Sequence, residues 1–232
     1  MHDGYRHMDY SIYINGCCML ALSKELSFAT KQDVIDALLF TQLAADEEFP
    51  DEPNGLDWFE AYKSILYECG WVYDRQNVTT GTFTSMAEKT FSLREAFATV
   101  FENNLDSEQA TVLLAVLDKV AALPDKMNLE QIFRQQAALN VKGMKRIRAC
   151  IGVVNERGSL NSASVFFDTR GSVGRLFTGR EFAFSDLHGA VNAYFYTARF
   201  NAGIYGEYRA DTVQWLGARR QSEHLEIASL TI

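Results

Sequence analysis

Few residues of this chain carry reactive groups at a spacing that would bring them together. Asp186 and His188 stand two apart in Ser185-Asp186-Leu187-His188-Gly189. On a strand that spacing sets both side chains on one side. A carboxylate beside an imidazole can work as an acid–base pair, with the Ser185 hydroxyl at hand. A polar turn leading into a strand explains the same residues without chemistry. The GxSxG elbow of a serine hydrolase is absent from the sequence.

The thiols are Cys17, Cys18, Cys69 and Cys150, with no CxxC spacing for zinc or redox work. Cys17 and Cys18 are a poor disulfide, because neighbouring Cα atoms lie closer than the usual bridge separation. They border Ile12, Tyr13, Ile14, Met19 and Leu20. A cysteine near such an apolar segment can accept a fatty acyl thioester, and Cys69 and Cys150 could hold an acyl chain in the interior. The plainer reading makes Cys17 and Cys18 part of a leader, and Cys69 and Cys150 buried small residues. All four read as reduced thiols, which points to a cytoplasmic protein.

His224 with Glu223 and Glu226 offers a single local imidazole, too few for the ligand sets metals recruit. HExxH, P-loop and EF-hand patterns are absent, and Gly171-Ser172-Val173-Gly174 is a hairpin turn rather than a phosphate cradle. Neither a metal nor a cofactor is expected. Carboxylates crowd into Asp46-Glu47-Glu48 and Asp51-Glu52 around Pro50 and Pro53. The C-terminal end of a helix is a poor place for negative charge. A hydrolase using two carboxylates would need them to converge on one pocket; a solvated acidic loop is the alternative.

The net charge of −8 disfavours a phosphate-binding surface. The one dense basic run is Lys142, Lys145, Arg146 and Arg148. If 145–154 is a strand, Lys145 points away from Arg146 and Arg148, so the run makes no single face. It reads as a solvated junction, and nucleic-acid binding is not expected. No apolar run approaches the roughly 20 residues of a membrane helix.

The elements that must position these residues fall into two halves, divided where the apolar period changes near Gly143. Residues 1–18 are expected to be an extension, disordered or non-native, because Met19 opens a natural start. The rest, 19–232, is expected to be a single α+β domain, helical over 28–142 and strand-rich over 143–232. Thr30 with Asp33 approximates a capping box for a first helix to Glu48. Trp58, Phe59, Tyr62, Ile65 and Leu66 mark a second, closed by Gly70. Ser92 with Glu95 starts a third, and Asp106 or Ser107 a fourth. Asn128 and Gln131 start a fifth that carries Leu139. Residues 77–84 are expected to be extended or a surface loop.

Beyond Gly143, Ile147, Ala149, Ile151 and Val153 alternate on one face. Ala163, Val165 and Phe167 form the returning strand. Short strands follow at Leu176-Phe177 and Phe182-Ala183-Phe184. Residues 190–200 are apolar on both sides, as in a central strand covered on both faces. Residues 203–220 fit a helix better than two strands, and Leu225 to Ile232 reads as a last strand. The fold predicted is a helical N-terminal half packed on a mainly antiparallel C-terminal sheet with one late helix.

The stretch Ala29-Thr30-Lys31-Gln32-Asp33-Val34 through Gln42-Leu43-Ala44-Ala45, then Trp58-Phe59-Glu60-Ala61-Tyr62 and Gly70-Trp71-Val72, resembles the opening of bacterial proteins related to the Erwinia virulence factor Evf. The order of a helical part and an α/β remainder is also similar, over most of the chain after Met19. The resemblance implies a bacterial host-interaction factor with a fatty-acylated cysteine and no known catalysis. Its acylated position matches no residue here, since no cysteine follows Cys150. The expected function is therefore non-enzymatic: a virulence-associated protein, made in the cytoplasm and released, with a fatty acyl ligand or a host component as partner. The competing expectation is a hydrolase-type enzyme at the helix–sheet seam, using Asp186 and His188.

Overall fold

A computed structural model describes residues 8–50, 55–81, 89–123, 133, 135–173 and 179–232. Its strands are β1 (Asp9–Asn15), β2 (Cys18–Ser23), β3 (Trp71–Gly81), β4 (Thr90–Ser92), β5 (Ala138–Val141), β6 (Met144–Val154), β7 (Ser159–Thr169), β8 (Glu181–Ala183), β9 (Leu187–Phe200) and β10 (His224–Thr231). Its helices are α1 (Phe28–Glu48), α2 (Leu56–Glu68), α3 (Leu93–Asn104), α4 (Ser107–Ala121), α5 (Ala202–Leu216) and the short α6 (Arg219–Ser222). The main sheet runs β10-β1-β2-β6-β7-β9-β3, with β5 paired to β6 off that path. Every pairing is antiparallel except β2 with β6. The fold is α+β, as its two hydrophobic periods predict.

Successive strand residues point to opposite faces, and both faces are covered. Phe166 packs on Trp58 of α2, whereas Phe167 packs on Phe91 and Phe182 of the β4–β8 ribbon. Helices α1, α2 and α5 lie on the Phe166 side, and α3 and α4 on the Phe167 side. One continuous core joins side chains of both layers to the sheet. This is why β9 is apolar on both faces.

The N-terminal extension is corrected from Asp9 onward. Strand β1 lies between β10 and β2, and residues 10–22 are all buried. Tyr10, Ile12 and Ile14 alternate with Ser11 and Tyr13 as an interior strand requires, and a leader could not shelter them. Residues 1–7 lie outside the described residues. The β1–β2 loop is Gly16-Cys17, and Gly16 has φ of 60°, as tight hairpins favour. A Cβ there would sit 2.7 Å from Gln42 Oε1 and displace that side chain from the turn.

The helical span 28–142 is also corrected, because it contains β3, β4 and β5. The stretch Asp74-Arg75-Gln76-Asn77 gives no apolar alternation. It forms an edge strand, which pairs on one side alone and tolerates polar residues. The first helix starts at Phe28, capped by the Ser27 hydroxyl, which accepts from Thr30 N. Asp33 is engaged by Arg209 instead of capping. The box at Ser92 and Glu95 is present, and Asp106 caps α4. The start of the expected fifth helix lies outside the described residues; 135–137 are helical, and Leu139 belongs to β5. Leu176-Phe177 likewise lies outside them. Phe184 begins a 3-10 turn rather than ending a strand. Residues 202–216 are helical, the favoured alternative.

Candidate functional site

Helix α1 is clasped on its outer side by ion pairs. Arg209 of α5 donates from Nε and Nη2 to Asp33 at 2.8 and 2.6 Å. Arg220 of α6 donates from Nε to Asp36 at 2.8 Å, with Asp36 fully buried. The end of α2 meets the start of α5 at Gly70, whose carbonyl accepts from Asn201 N at 2.8 Å. Gly70 has φ of 83°, and a Cβ there would lie 2.8 Å from the Asn201 carbonyl oxygen.

These contacts hold α1, α2 and α5 around an open groove of about 210 Å³, lined by Phe40, Ile65, Cys69, Tyr208 and Trp215, with Glu68 and Asp211 at its rim. Phe40 and Trp215 meet edge to face at 4.9 Å, and Arg219 lies 4.0 Å over the Trp215 ring. Cys69 is buried at the end of α2, and burial pushes its thiol up to about 11, so it stays protonated near neutrality. Tyr208 is 47% exposed, and Ile204, one turn earlier on the same helix, is 39% exposed. The walls are thus apolar and part of them faces solvent. Two other open clefts are more polar. One, of about 250 Å³, lies among Tyr10, Asp106, Glu108, Val153 and Glu156. The other, of about 270 Å³, lies among Tyr13, Phe28, Lys31, Ile35 and His224.

A second constellation lies inside, where α1 and α2 cover the sheet. Arg148 is 1% exposed, pairs with Asp46, and stacks 4.5 Å from the Trp58 ring. Trp58 Nε1 donates to the same carboxylate at 2.7 Å. Beside Arg148, the Cys17 and Cys150 sulfurs stand 3.6 Å apart. Ser164 Oγ lies 3.1 Å from the Cys150 sulfur, and Gln42 Oε1 accepts from Cys17 N at 2.9 Å. The Cys17 hydrogen bond, the Ser164 hydroxyl and the Arg148 charge hold the Cys150 thiol below its ordinary range against the opposing effect of burial. The Cys17 thiol is pushed well up by that same hydrogen bond and by burial. Burial also pushes Cys18 well up.

The four acylation candidates are therefore all buried, and three of them, Cys17, Cys18 and Cys150, converge at one place. The basic run is not a solvated junction. Arg146 donates to Asp168 through Nε and Nη2, both at 2.9 Å and both buried, and Arg148 faces Asp46. Asp46 accordingly leaves the acidic loop and turns inward, while Asp51 and Glu52 lie outside the described residues. Asp186 ends the 3-10 turn, and its carbonyl accepts from Arg170 N. His188 is exposed at the start of β9, opposite Asp168. No hydrogen bond joins Asp186 to His188 among the described residues, and neither lines these clefts. Glu223 accepts from Gln136, and Glu226 from Tyr13. Among the described residues no three His, Cys, Asp or Glu side chains are placed to hold a metal, and no helix is long and apolar enough to cross a membrane.

Sequence reasoning passed over the groove, whose residues form no motif. The signal was there in apolar residues outside the buried stripes, Phe40 and Tyr208 above all. No family model and no curated protein matches this chain. Among solved structures it is similar to a delta-endotoxin, at 8% identity and a TM-score of 0.38, over 80% of this chain and 81% of that one. At that TM-score the likeness carries no argument about what the chain does.

Proposed function

We propose that this protein acts by binding rather than catalysis, seating the end of an acyl chain in the groove between α1, α2 and α5. The observation that carries the reading is the groove itself: apolar walls from Phe40, Ile65 and Trp215, open to solvent beside Tyr208. Its 210 Å³ falls below the roughly 300–1,000 Å³ of pockets that enclose a drug-sized ligand. It therefore takes part of a chain and leaves the headgroup outside. Glu68 and Asp211 at the rim repel a free carboxylate and favour a neutral or zwitterionic head with its cationic part inward. Tyr208, about half exposed, supplies an aromatic face for such a cation.

The resemblance of residues 29–72 to Evf-related proteins supports a bacterial, virulence-associated setting, in which the chain is made with reduced thiols and released to meet a host component. The hydrolase alternative gains nothing from the placement of Asp186 and His188. Titration with a fluorescent lysophosphatidylcholine, below its micellar concentration, tests the reading. Saturable binding is expected. Ile65→Glu should weaken it at least about tenfold, the factor for 1.4 kcal/mol, or roughly two methylenes' burial. The double variant Asp186→Asn/His188→Ala should bind unchanged. Absence of saturable binding, or equal binding by Ile65→Glu, removes the proposal.

A further inference from the structure

The Cys17 and Cys150 thiols belong to no part of the groove. They come from positions 133 apart in sequence, yet two hydrogen bonds fix their meeting. The Gly16-Cys17 turn is held beside β6, because Gln42 Oε1 accepts from Cys17 N and the Cys17 carbonyl accepts from Cys150 N at 2.9 Å. The two sulfurs then stand 3.6 Å apart, each free of any disulfide. A bond needs a separation of about 2.05 Å, a closure that side-chain rotation and a small movement of a hairpin turn can supply. Cys18 is the register partner of Cys150 in the parallel β2–β6 pairing, but its sulfur makes no such contact. Cys69 lies elsewhere, at the end of α2.

The pair is chemically unequal. Ser164 Oγ is within hydrogen-bonding distance of the Cys150 sulfur, and Arg148 lies on the same face of β6, two residues away. Both favour a thiolate at Cys150, which is the reactive form of a cysteine. The Cys17 proton has two acceptors, Gln42 Oε1 at 3.1 Å and the Cys150 sulfur at 3.6 Å. When Cys150 ionises, that proton turns to the thiolate, and Gln42 keeps its bond to Cys17 N.

We propose that Cys17 and Cys150 are a site of reversible oxidation, closing to an intramolecular disulfide when the protein meets hydrogen peroxide. In the first step the Cys150 thiolate attacks a peroxide oxygen. The O–O bond breaks, Cys150 becomes a sulfenic acid, and the departing hydroxide takes a proton to leave as water. In the second step the Cys17 sulfur attacks the Cys150 sulfur. The S–S bond forms, the S–O bond breaks, and the hydroxyl leaves as water with the Cys17 proton. Two thiols lose two electrons and two protons, and the peroxide is reduced to water. Cys17 is 3% and Cys150 5% exposed, so a small peroxide reaches them through slight local opening, while a bulky aromatic disulfide reagent is held off. The bridge would staple the β1–β2 turn to the centre of the sheet.

The test treats the reduced, folded full chain with hydrogen peroxide, alkylates remaining thiols, and maps peptides by mass spectrometry without reduction. A Cys17–Cys150 cross-linked peptide is expected, lighter by two hydrogens and reversed by dithiothreitol, with Cys18 and Cys69 alkylated. Closing so long a loop should raise Tm by several degrees, up to about 10 °C. Cys17→Ala, with circular dichroism to confirm its fold, should stop at a Cys150 sulfenic acid captured by dimedone. Cys150→Ser should leave Cys17 unmodified. A disulfide through Cys18 or Cys69 overturns the proposal. So does a cross-link that forms only in urea, a persistent Cys150 sulfenic acid in the parent chain, or four free thiols after peroxide.

Discussion

Replacing Asp46 by alanine isolates the ion pair that neutralises a guanidinium in the interior of this fold. The Arg148 side chain is 1% exposed and faces Asp46, whose own side chain is 28% exposed. Nε and Nη2 of Arg148 find no hydrogen-bond acceptor among the described residues, so the carboxylate is the principal compensation for its charge. Removing one partner of a buried ion pair costs about 3–5 kcal/mol. Water can reach the Asp46 side of the pair, and the Trp58 ring stays beside the guanidinium at 4.5 Å. Both place the loss near the low end, about 3 kcal/mol. Trp58 Nε1 also loses its acceptor, which adds about 1 kcal/mol. For a chain of this size the combined loss of about 4 kcal/mol lowers Tm by roughly 8–16 °C. Urea denaturation at neutral pH gives the free energy, provided the slope is unchanged. Asp46→Leu/Arg148→Met should recover most of the loss, since an apolar pair needs no compensation. A loss below about 1 kcal/mol for Asp46→Ala, or a double variant no more stable than the single one, would contradict the role given to this pair.

Gly70→Ala should destabilise by roughly 2–4 kcal/mol, through its φ of 83° and a Cβ 2.8 Å from the Asn201 carbonyl; urea midpoints report the loss, and lipid binding should weaken with it as α5 shifts. Cys69 carries a pH signature: its thiol is raised from 9.0 to about 11 in the folded chain. Between those values the folded state holds the proton and the unfolded state releases it, so stability present below pH 9 falls as pH rises toward 11. Comparing urea midpoints of the parent chain and Cys69→Ala at pH 8 and 10.5 should show about 1–2 kcal/mol more loss in the parent, and equal losses would refute it.

Legibility followed how local each signal was. Helices α2, α3 and α4 announce themselves through caps and stripes, and β6 and β7 through alternation, because each rests on neighbours within a few residues. Strand β3 shows only in part, in the extended alternative for 77–84, because an edge strand with Asp74, Arg75 and Gln76 has no apolar period to show. Strand β1 has a clear alternation in Tyr10, Ile12 and Ile14, but its weight falls to a competing start at Met19. The ion pair of Asp46 with Arg148 spans 102 residues and the Cys17–Cys150 contact 133. No spacing rule reaches so far; only the β2–β6 pairing brings those ends together. Each half of the groove reads locally as core, and its opening depends on how α5 lies over α1.

The central claim is that the groove between α1, α2 and α5 binds an acyl chain. Methyl and aromatic-ring NMR during titration with dodecanoyl lysophosphatidylcholine tests it most directly. Shifts should gather at Ile65, Phe40, Tyr208 and Trp215 and saturate together, while signals of Tyr10 and Tyr13 stay put. Saturating shifts centred on either of the two polar clefts, or a spectrum indifferent to the lipid, would contradict the account.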